Sequence, residues 1–399
     1  MPDERFLSVL DMEDFEGIKI KDASARSSIG VLSELKTTVK NSIVGAINSI
    51  DQVLYNVKAY GATGDGITDD YQAFINAINS VPVHGTLYIP MGLYRLSAEI
   101  VITKPIRILG EYSGWDIWDA NPDVPVTVMN KPLIKSESSN YGINVKCLGF
   151  TIENIALEMI ASSTNGGLCI SNENSTVELF NRFNRIVNCS FINNSSESGV
   201  GITCKYTGLT TIERCLTYGF TIGYYITQLN ANKRENTSLC LFNCWALNYF
   251  GSGYNLNECY YTCLLNCACD SINENTNGYG LTKCYGTKLI SCGSEKNVNG
   301  FIFDQCHGCS LSGSTAADSS TENAILLRYN GTININSFYA TGEKSNPSYH
   351  DVYIQSSEVH VTFISTNISS IYYVDHEIGV NELPNNAQLA STDPLVILT

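Results

Sequence analysis

Asp270 and Glu295 are the side chains of this sequence whose types and spacing best suit acid–base chemistry. Each stands three residues after a recurring cysteine, Cys267 or Cys292, so the two hold equivalent positions in successive units. If the units stack as strands, their backbones lie about 4.8 Å apart and the carboxyl groups can spread to about 5–9 Å. Glycoside hydrolysis uses two carboxyl groups at such separations, one protonated and one ionised. Mutual repulsion raises one pKa, which a general acid requires.

The pair has a second interpretation, and two further acids compete with it. A solvated surface pair would show the same spacing, so the sequence favours neither interpretation over the other. Glu213 and Asp304 are the other candidate catalytic acids. Glu213 interrupts an otherwise apolar column beside Arg214, which favours a buried Glu–Arg pair over a catalytic role. The acids to consider after these are Glu258 and Glu274.

Aromatic side chains crowd the same units. Sugar rings stack on exposed Tyr and Trp faces, so Tyr218, Trp245 and Tyr249 are candidate substrate contacts. Lys296, next to Glu295, is a candidate cationic contact. The chain has 23 tyrosines, however, so ordinary packing explains many of these rings.

The equivalence of these positions comes from a repeat of short apolar–x–polar–Cys segments. The segments RIVNCSF, TIERCLT, CLFNCWA, CLLNCAC and KLISCGS carry the reference cysteines Cys189, Cys215, Cys244, Cys267 and Cys292. Their spacings are 26, 29, 23 and 25 residues, and the same slot continues at Ile155, Ser314, Phe338 and Thr366. Such a recurrence is typical of a solenoid. Short β-branched runs bounded by Gly and Asn, without helical periodicity, predict an all-β parallel β-helix.

Stacking assigns a role to each column of the repeat. One inward ladder is predicted from Ile152, Ile186, Ile212, Leu241, Leu264, Leu289 and Leu311. The reference cysteines are predicted to stack inside, because free cysteine behaves as a small core residue. Asparagine tolerates left-handed turns and can hydrogen-bond along a stack. A structural turn is therefore predicted at Asn154, Asn188, Asn243 and Asn266, with Arg214 and Ser291 as departures.

Composition limits the classes of function. The chain has 399 residues, with 24 basic and 39 acidic side chains and a net charge of −15, which disfavours non-specific nucleic-acid binding. No apolar run is long enough for a membrane span, and the acidic N-terminus does not resemble a secretory signal peptide. The fifteen cysteines are odd in number, which predicts free thiols. One CxxC, Cys306 to Cys309, lacks a second pair, so we predict no metal and no cofactor.

A segment upstream of the repeat carries a family resemblance. Residues 55–96 read YNVKAYGATGDGITDDYQAFINAINSVPVHGTLYIPMGLYRL, which predicts a strand over 56–60, a helix over about 70–79 and a strand over 85–90. The helix should be capped by Thr68 or Asp69 and should bury Tyr71, Phe74, Ile75 and Ile78. This stretch resembles the N-terminal cap of the pectate-lyase-like superfamily of right-handed β-helices. Its aspartates, Asp65, Asp69 and Asp70, are then turn and cap residues rather than catalytic acids.

The residues before the cap carry a heptad-like apolar stripe. It consists of Ile29, Leu32, Lys36, Val39, Ile43, Ala46, Ile50 and Val53, which is typical of a coiled coil. The surrounding sequence resembles the linker before β-helices in bacteriophage tail fibres and tail spikes. That resemblance implies a virion protein that is a homotrimer with an α-helical neck, attached to other tail or baseplate proteins through its N-terminus. It also implies a host surface polysaccharide or teichoic acid as partner.

The resemblance supplies a fold and a class of substrate, not a reaction. The paired-aspartate pattern of polygalacturonases and the calcium-binding aspartate cluster of pectate lyases are both missing from the solenoid. Together with the stacked acids, the resemblance favours a polysaccharide depolymerase. A glycoside hydrolase is favoured over a lyase. The alternatives are a non-catalytic receptor-binding spike and a bacterial glycan-degrading enzyme. The predicted domains are a neck over 1–54, a cap over 55–110, a parallel β-helix over 111–375 and a tail over 376–399.

Overall fold

The computed structural model describes residues within the compact unit Tyr55–Thr399. The described ranges are 55–112, 130–171, 181–228, 236–273, 275–317, 322–329, 331–340, 349–355, 359–364, 370–373, 376–379 and 396–398. The predicted neck over 1–54, Glu274 and Thr366 lie outside them. No helix in these ranges is long and apolar enough to cross a bilayer.

The described residues form a right-handed parallel β-solenoid of about 10 turns, which confirms the predicted β-helix. Sheet A contains, in order, Tyr55–Asn56, Thr86–Ile89, Arg107–Gly110, Thr151–Glu153, Arg185–Val187, Thr211–Glu213, Cys240–Phe242, Cys263–Leu265, Lys288–Ile290, His307–Ser312, Gly331–Asn336, Val359–Ile364 and Val396–Leu398. Sheet B contains Asp65–Asp69, Leu93–Leu96, Leu133–Ser136, Ala156–Met159, Ser190–Asn193, Leu216–Tyr218, Trp245–Leu247, Ala268–Asp270, Gly293–Glu295, Thr315–Ala317 and Tyr339–Ala340.

A third long sheet closes each turn. Sheet C contains Ile100–Ile102, Tyr141–Val145, Gly166–Ile170, Val200–Lys205, Ile222–Thr227, Ser252–Asn257, Asn277–Thr282, Asn299–Asp304, Asn323–Arg328, His350–Ile354, Ser370–Tyr373 and His376–Gly379. The last of these strands pairs antiparallel with its neighbour. A short sheet on the connection from C back to A contains Asn181–Arg182, Thr207–Gly208, Asn236–Thr237 and Cys259–Tyr260. Strands of the predicted cap and tail thus extend the same sheets as the central turns.

The cap segment folds nearly as its sequence predicts, except that the residue before the helix is Asp70 and not Thr68 or Asp69. The helix spans Tyr71–Ser80 and buries Phe74 and Ile78 with two alanines, while Tyr71 and Ile75 pack half-buried against the core. The predicted strand over 56–60 is wrong, because the strand is Tyr55–Asn56 and a 3-10 helix, Val57–Tyr60, follows it. The predicted strand over 85–90 is found at Thr86–Ile89.

The cysteine ladder lies inside the solenoid, at the bend between sheets A and B. The five reference cysteines are at most 2% exposed, and all fifteen cysteines are free thiols. Each reference thiol donates a weak hydrogen bond to a carbonyl of the preceding turn, as Cys244 does to Ile212 at 3.3 Å and Cys267 to Leu241 at 3.5 Å. The predicted aliphatic ladder is confirmed beside it, with every member fully buried.

The residue before each cysteine makes the bend. Asn188 and Asn243 both have a φ of 52°, and Arg214 and Ser291 share the left-handed conformation. Asn188 donates its side-chain amide to the Asn154 side chain of the preceding turn at 2.8 Å. The predicted structural role of these asparagines is therefore confirmed.

Candidate functional site

One column of sheet B points away from the solenoid core, although Ile192 within it is covered and only 1% exposed. Directly paired residues in neighbouring strands place in it Lys135, Glu158, Ile192, Tyr218, Leu247, Asp270, Glu295 and Ala317. Asp270 and Glu295 are paired partners on adjacent strands, as the repeat predicts. Cys269 and Ser294, their neighbours in sequence, are buried, so the two carboxylates face away from the core.

Asp270 lies in an environment that disfavours its charged form. The side chain is half-buried, and its Oδ2 accepts a hydrogen bond of 2.9 Å from the indole Nε1 of Trp245 on the preceding strand. Burial, and then the charge of Glu295, raise its pKa to about 6. The Trp245 hydrogen bond and the charge of Lys296 oppose that shift in pKa. Asp270 therefore has the ionisation of a general acid near neutral pH.

Glu295 and Lys296 lie at the exposed end of the next strand, above a buried polar network. Lys296 has a φ of 54° and turns the chain out of sheet B. The side chain of Asn297, which is 2% exposed, donates to the Glu295 carbonyl at 2.8 Å. The Tyr249 hydroxyl donates to the Asn297 Oδ1 at 2.5 Å. This network fixes the backbone that carries Glu295.

Tyr249 is consequently not a surface contact for a sugar. Its ring is 1% exposed and lies inside the solenoid, so no face is open to a ligand and that prediction is wrong. Trp245 is 36% exposed beside Asp270, and Tyr218 is half-buried two turns earlier in the same column. These two rings are in positions where a polymer lying along sheet B would touch them.

An open cleft of about 360 Å³ lies next to the column, where the chain leaves sheet B. It is lined by Asn193, Asn194, Ser195, Ser196, Glu197, Tyr218, Gly219, Asn248, Phe250, Ile272 and Asn273. This cleft was not predicted from the sequence. The signal was the polar run NNSSES over 193–198, an irregular connection between two regular strands.

Glu213 and Asp304 lie on other sheets and do not join the pair. Glu213 ends a strand of sheet A and forms ion pairs with Arg185 at 3.6 Å and Arg214 at 3.5 Å. The side chains are half-exposed, so the predicted ion pair exists but is not buried. Asp304 ends a strand of sheet C opposite Arg328. Burial raises its pKa, an effect that the neighbouring Arg328 and Lys283 oppose.

Glu258, the remaining candidate acid among the described residues, does not join this arrangement. Glu258 occupies a left-handed turn after a strand of sheet C, and Glu274 is outside the described residues. No three His, Cys, Asp or Glu side chains converge as metal ligands within the part of the chain that the structure describes. The arrangement on sheet B therefore offers acid–base chemistry by two carboxyl groups.

Comparisons with known proteins agree with the fold and name carbohydrate-active relatives. The family model described as rhamnogalacturonase A/epimerase, pectate lyase-like, matches residues 54–264. Mannuronan C5-epimerase AlgE1 of Azotobacter vinelandii is 31% identical over 120 residues, which are 26% of this chain and 8% of that protein. The pre-neck appendage protein of Bacillus phage B103 is 42% identical over 69 residues, which are 17% of this chain and 8% of that protein.

A solved structure extends the likeness across most of the solenoid. It is the full-length tailspike protein 2 from Escherichia coli O157:H7 bacteriophage CAB120, with a TM-score of 0.56 and 11% identity. The match covers 83% of this chain and 45% of that one. At this identity the likeness shows the β-solenoid fold.

Proposed function

This chain belongs to the rhamnogalacturonase A/epimerase, pectate-lyase-like family, and we propose that it is a phage tail spike that binds and depolymerises a host surface polysaccharide. The match to a phage pre-neck appendage protein supports the virion assignment. The match to a mannuronan epimerase supports a carbohydrate substrate. The observation that carries the proposal is the stacking of Asp270 on Glu295, with the pKa of Asp270 raised to about 6.

The reaction we propose is hydrolysis of a glycosidic bond across sheet B. Asp270 gives its proton to the bridging oxygen, whose bond to the anomeric carbon breaks, and the leaving sugar departs with a free hydroxyl. In an inverting reaction Glu295 removes a proton from the water whose oxygen bonds to the anomeric carbon. In a retaining reaction Glu295 bonds to the anomeric carbon, and water, which gives a proton to the now ionised Asp270, displaces it. The indole of Trp245 occupies Oδ2 of Asp270, so the transferable proton belongs on Oδ1.

Neighbouring side chains of the same face hold the polymer in this proposal. Trp245 and Tyr218 present ring edges and faces along the column, and Lys296 places a cation next to Glu295. Tyr218 is separated from Asp270 by two strand spacings, about 10 Å, so a chain of a few sugar units spans both. An extended polymer therefore matches the face better than a single small molecule does.

The test is product release from polymers. The full-length chain is incubated with purified capsular polysaccharides, cell-wall polysaccharides and teichoic acids, and new reducing ends and ultraviolet absorbance of unsaturated ends are measured. Hydrolysis predicts reducing ends without absorbance, from at least one polymer, and a release by Asp270→Asn that is about 10²–10⁴-fold slower. Absorbance in step with the reducing ends would make the protein a lyase and contradict the hydrolytic roles.

A receptor-binding spike without catalysis is the second candidate, and one contact favours it. The Trp245 hydrogen bond stabilises the charged form of Asp270, as it would in a carboxylate that binds sugar hydroxyl groups. In that case wild type adsorbs to host cells, Asp270→Asn adsorbs more weakly, and neither releases product. Adsorption together with product release excludes this candidate.

We further propose that the protein is a homotrimer joined through residues 29–53 and attached to the tail by its N-terminus. The apolar stripe with alternating three- and four-residue steps in this segment supports the proposal. Sedimentation of the full chain at micromolar concentration should give the mass of three chains. Replacing Ile43 and Ile50 with Asp should give single chains, and a wild-type monomer would contradict both the trimer and the neck.

A further inference from the structure

We propose that the cleft beside sheet B is a subsite for an uncharged sugar unit of the polymer. The inference rests on the proposed function, whose substrate class it narrows. The cleft volume, about 360 Å³, is at the lower end of the range for small-ligand sites and suits one or two sugar rings.

The cleft walls are held in place by hydrogen bonds to the protein itself. The Asn193 side chain, 3% exposed, accepts from the backbone N–H groups of Ser195 and Ser196 at 3.2 and 3.1 Å and donates to the Ser198 carbonyl at 2.8 Å. On the opposite wall, Asn273 donates to the Tyr249 carbonyl at 2.9 Å. Because these walls are already fixed, little conformational entropy of the side chains is lost when a ligand binds.

The polar groups of the lining are almost entirely uncharged. Amides and hydroxyl groups predominate, and Glu197 is the one charged side chain among the lining residues that the structure describes. Next to the cleft, Asn194 donates its side-chain amide to the carboxylate of Glu158 at 3.1 Å. Glu158 also forms an ion pair with Lys135 at 3.4 Å, so Glu197 is the carboxylate that a uronate would meet without a basic partner in the lining. Hydroxyl and amide groups of a neutral sugar would find donors and acceptors there.

An apolar patch completes the recognition surface. Phe250, which is half-buried, and Ile272, which is 53% exposed, both line the cleft. Sugars present C–H groups on one face, and N-acetyl or 6-deoxy sugars also carry a methyl group. Contact with such groups would remove the exposed surface of Ile272 from water.

The cleft is placed where it can serve the carboxylate pair. Tyr218 belongs both to its lining and to the outward column of sheet B, two strands before Asp270. Its hydroxyl accepts from the Asn248 side chain at 3.3 Å, which ties the ring to the cleft wall. A sugar bound here extends toward Asp270 along the column.

The experiment is ligand-observed saturation-transfer NMR on the full chain, with monosaccharides as probes. The neutral probes are glucose, galactose, rhamnose, N-acetylglucosamine and N-acetylgalactosamine; the acidic probes are glucuronate and galacturonate. At least one neutral sugar should receive saturation, and neither uronate should. Ile272→Lys should lower that signal at least fivefold, whereas the matched control Leu209→Lys, 50% exposed on a turn before sheet A, should retain it.

The outcomes separate this inference from the proposed reaction. The subsite is overturned if a uronate receives saturation or if no neutral sugar does. It is also overturned if a neutral sugar receives equal saturation from wild type and from Ile272→Lys. Asp270→Asn should keep the neutral-sugar signal, because the subsite does not need the acid. If no polymer is cleaved but the signal depends on Ile272, the reaction fails and the subsite stands. If a polymer is cleaved and Ile272→Lys changes neither binding nor cleavage, the subsite fails.

Discussion

The aspartates of the cap and Asp270 have opposite environments, although they share a residue type. Asp65 accepts hydrogen bonds from backbone N–H groups two and three residues later, both at 2.8 Å, and these lower its pKa. Asp70 is 1% exposed and accepts from Thr63 and Gly64 N–H groups at 2.7 and 3.1 Å. Burial and the charge of Glu295 both disfavour the ionised form of Asp270, and they raise its pKa to about 6.

The difference follows from where backbone donors are available. The register shift between Asp65 and Asp69 leaves N–H groups of this strand without a strand partner, and the Asp65 carboxylate accepts from two of them. In a parallel sheet the N–H groups already bond to the neighbouring strands, so an outward carboxylate receives none of them. Stacking a second acid on the next strand then adds repulsion. Burial is thus the main cause of the raised pKa of Asp270, and the acid stacked on the next strand adds to it.

The largest expected effect is on catalysis. Asp270→Asn or Glu295→Gln keeps the shape of each side chain and removes the titrating group, so polymer cleavage should fall by about 10²–10⁴-fold. Asp65→Asn is the matched control in the cap and should cleave at the wild-type rate. Reducing-end release measures all three. Equal rates in the sheet variants and wild type would remove catalysis from this pair.

The next effect is on stability and should appear in the cap. Asp70→Ala leaves two backbone N–H groups without their acceptor, which should lower the free energy of unfolding by about 2–3 kcal/mol. Asp270→Asn should not lower the free energy of unfolding at pH 8. The raised pKa of Asp270 means that its charged form destabilises the folded state at that pH, and the substitution removes this charge. Denaturant unfolding followed by circular dichroism compares the two. A larger loss for Asp270→Asn than for Asp70→Ala would reverse the assignment of structural and functional acids.

The smallest effect concerns the pH dependence of cleavage. A general acid with a pKa near 6 is protonated below that pH, so wild-type activity should fall as pH rises through about 6. Trp245→Phe removes a hydrogen bond to the charged form, which should raise the midpoint by about 0.4–1 pH unit. Tyr261→Phe, at a ring 70% exposed, is the control and should keep the wild-type midpoint. A lowered midpoint in Trp245→Phe would contradict the role given to the indole.

Much of the solenoid could be predicted because its repeat is linear in sequence. The ladder of Cys244 and Cys267 and the stacking of Asp270 on Glu295 follow from spacing alone, since equivalent residues of successive turns must pair. Near bends, the spacing of residues does not predict whether a side chain faces the core or the solvent. Tyr249 follows Asn248, whose φ of 48° resets the alternation and turns the ring inward.

The rest of the site depends on chain geometry that the repeat does not encode. Arg214, with a φ of 51°, bends the chain between Glu213 on sheet A and the next strand on sheet B, so nearby positions in sequence face different sides. The cleft is formed by connections whose lengths differ from turn to turn, such as 194–199. Its walls depend on hydrogen bonds within those connections, and strand periodicity carries no information about them.

The most direct test is titration of the aspartate carboxyl carbons by ¹³C NMR. Comparison of wild type with Asp270→Asn and Asp65→Asn assigns the two resonances. The account predicts a midpoint near 6 for Asp270 and one below the ordinary value of 3.8 for Asp65. Glu295→Gln should lower the Asp270 midpoint, because one of the two causes of its elevation is removed. An Asp270 midpoint at or below 3.8 would contradict the claim that burial and the stacked Glu295 make this carboxyl a proton donor.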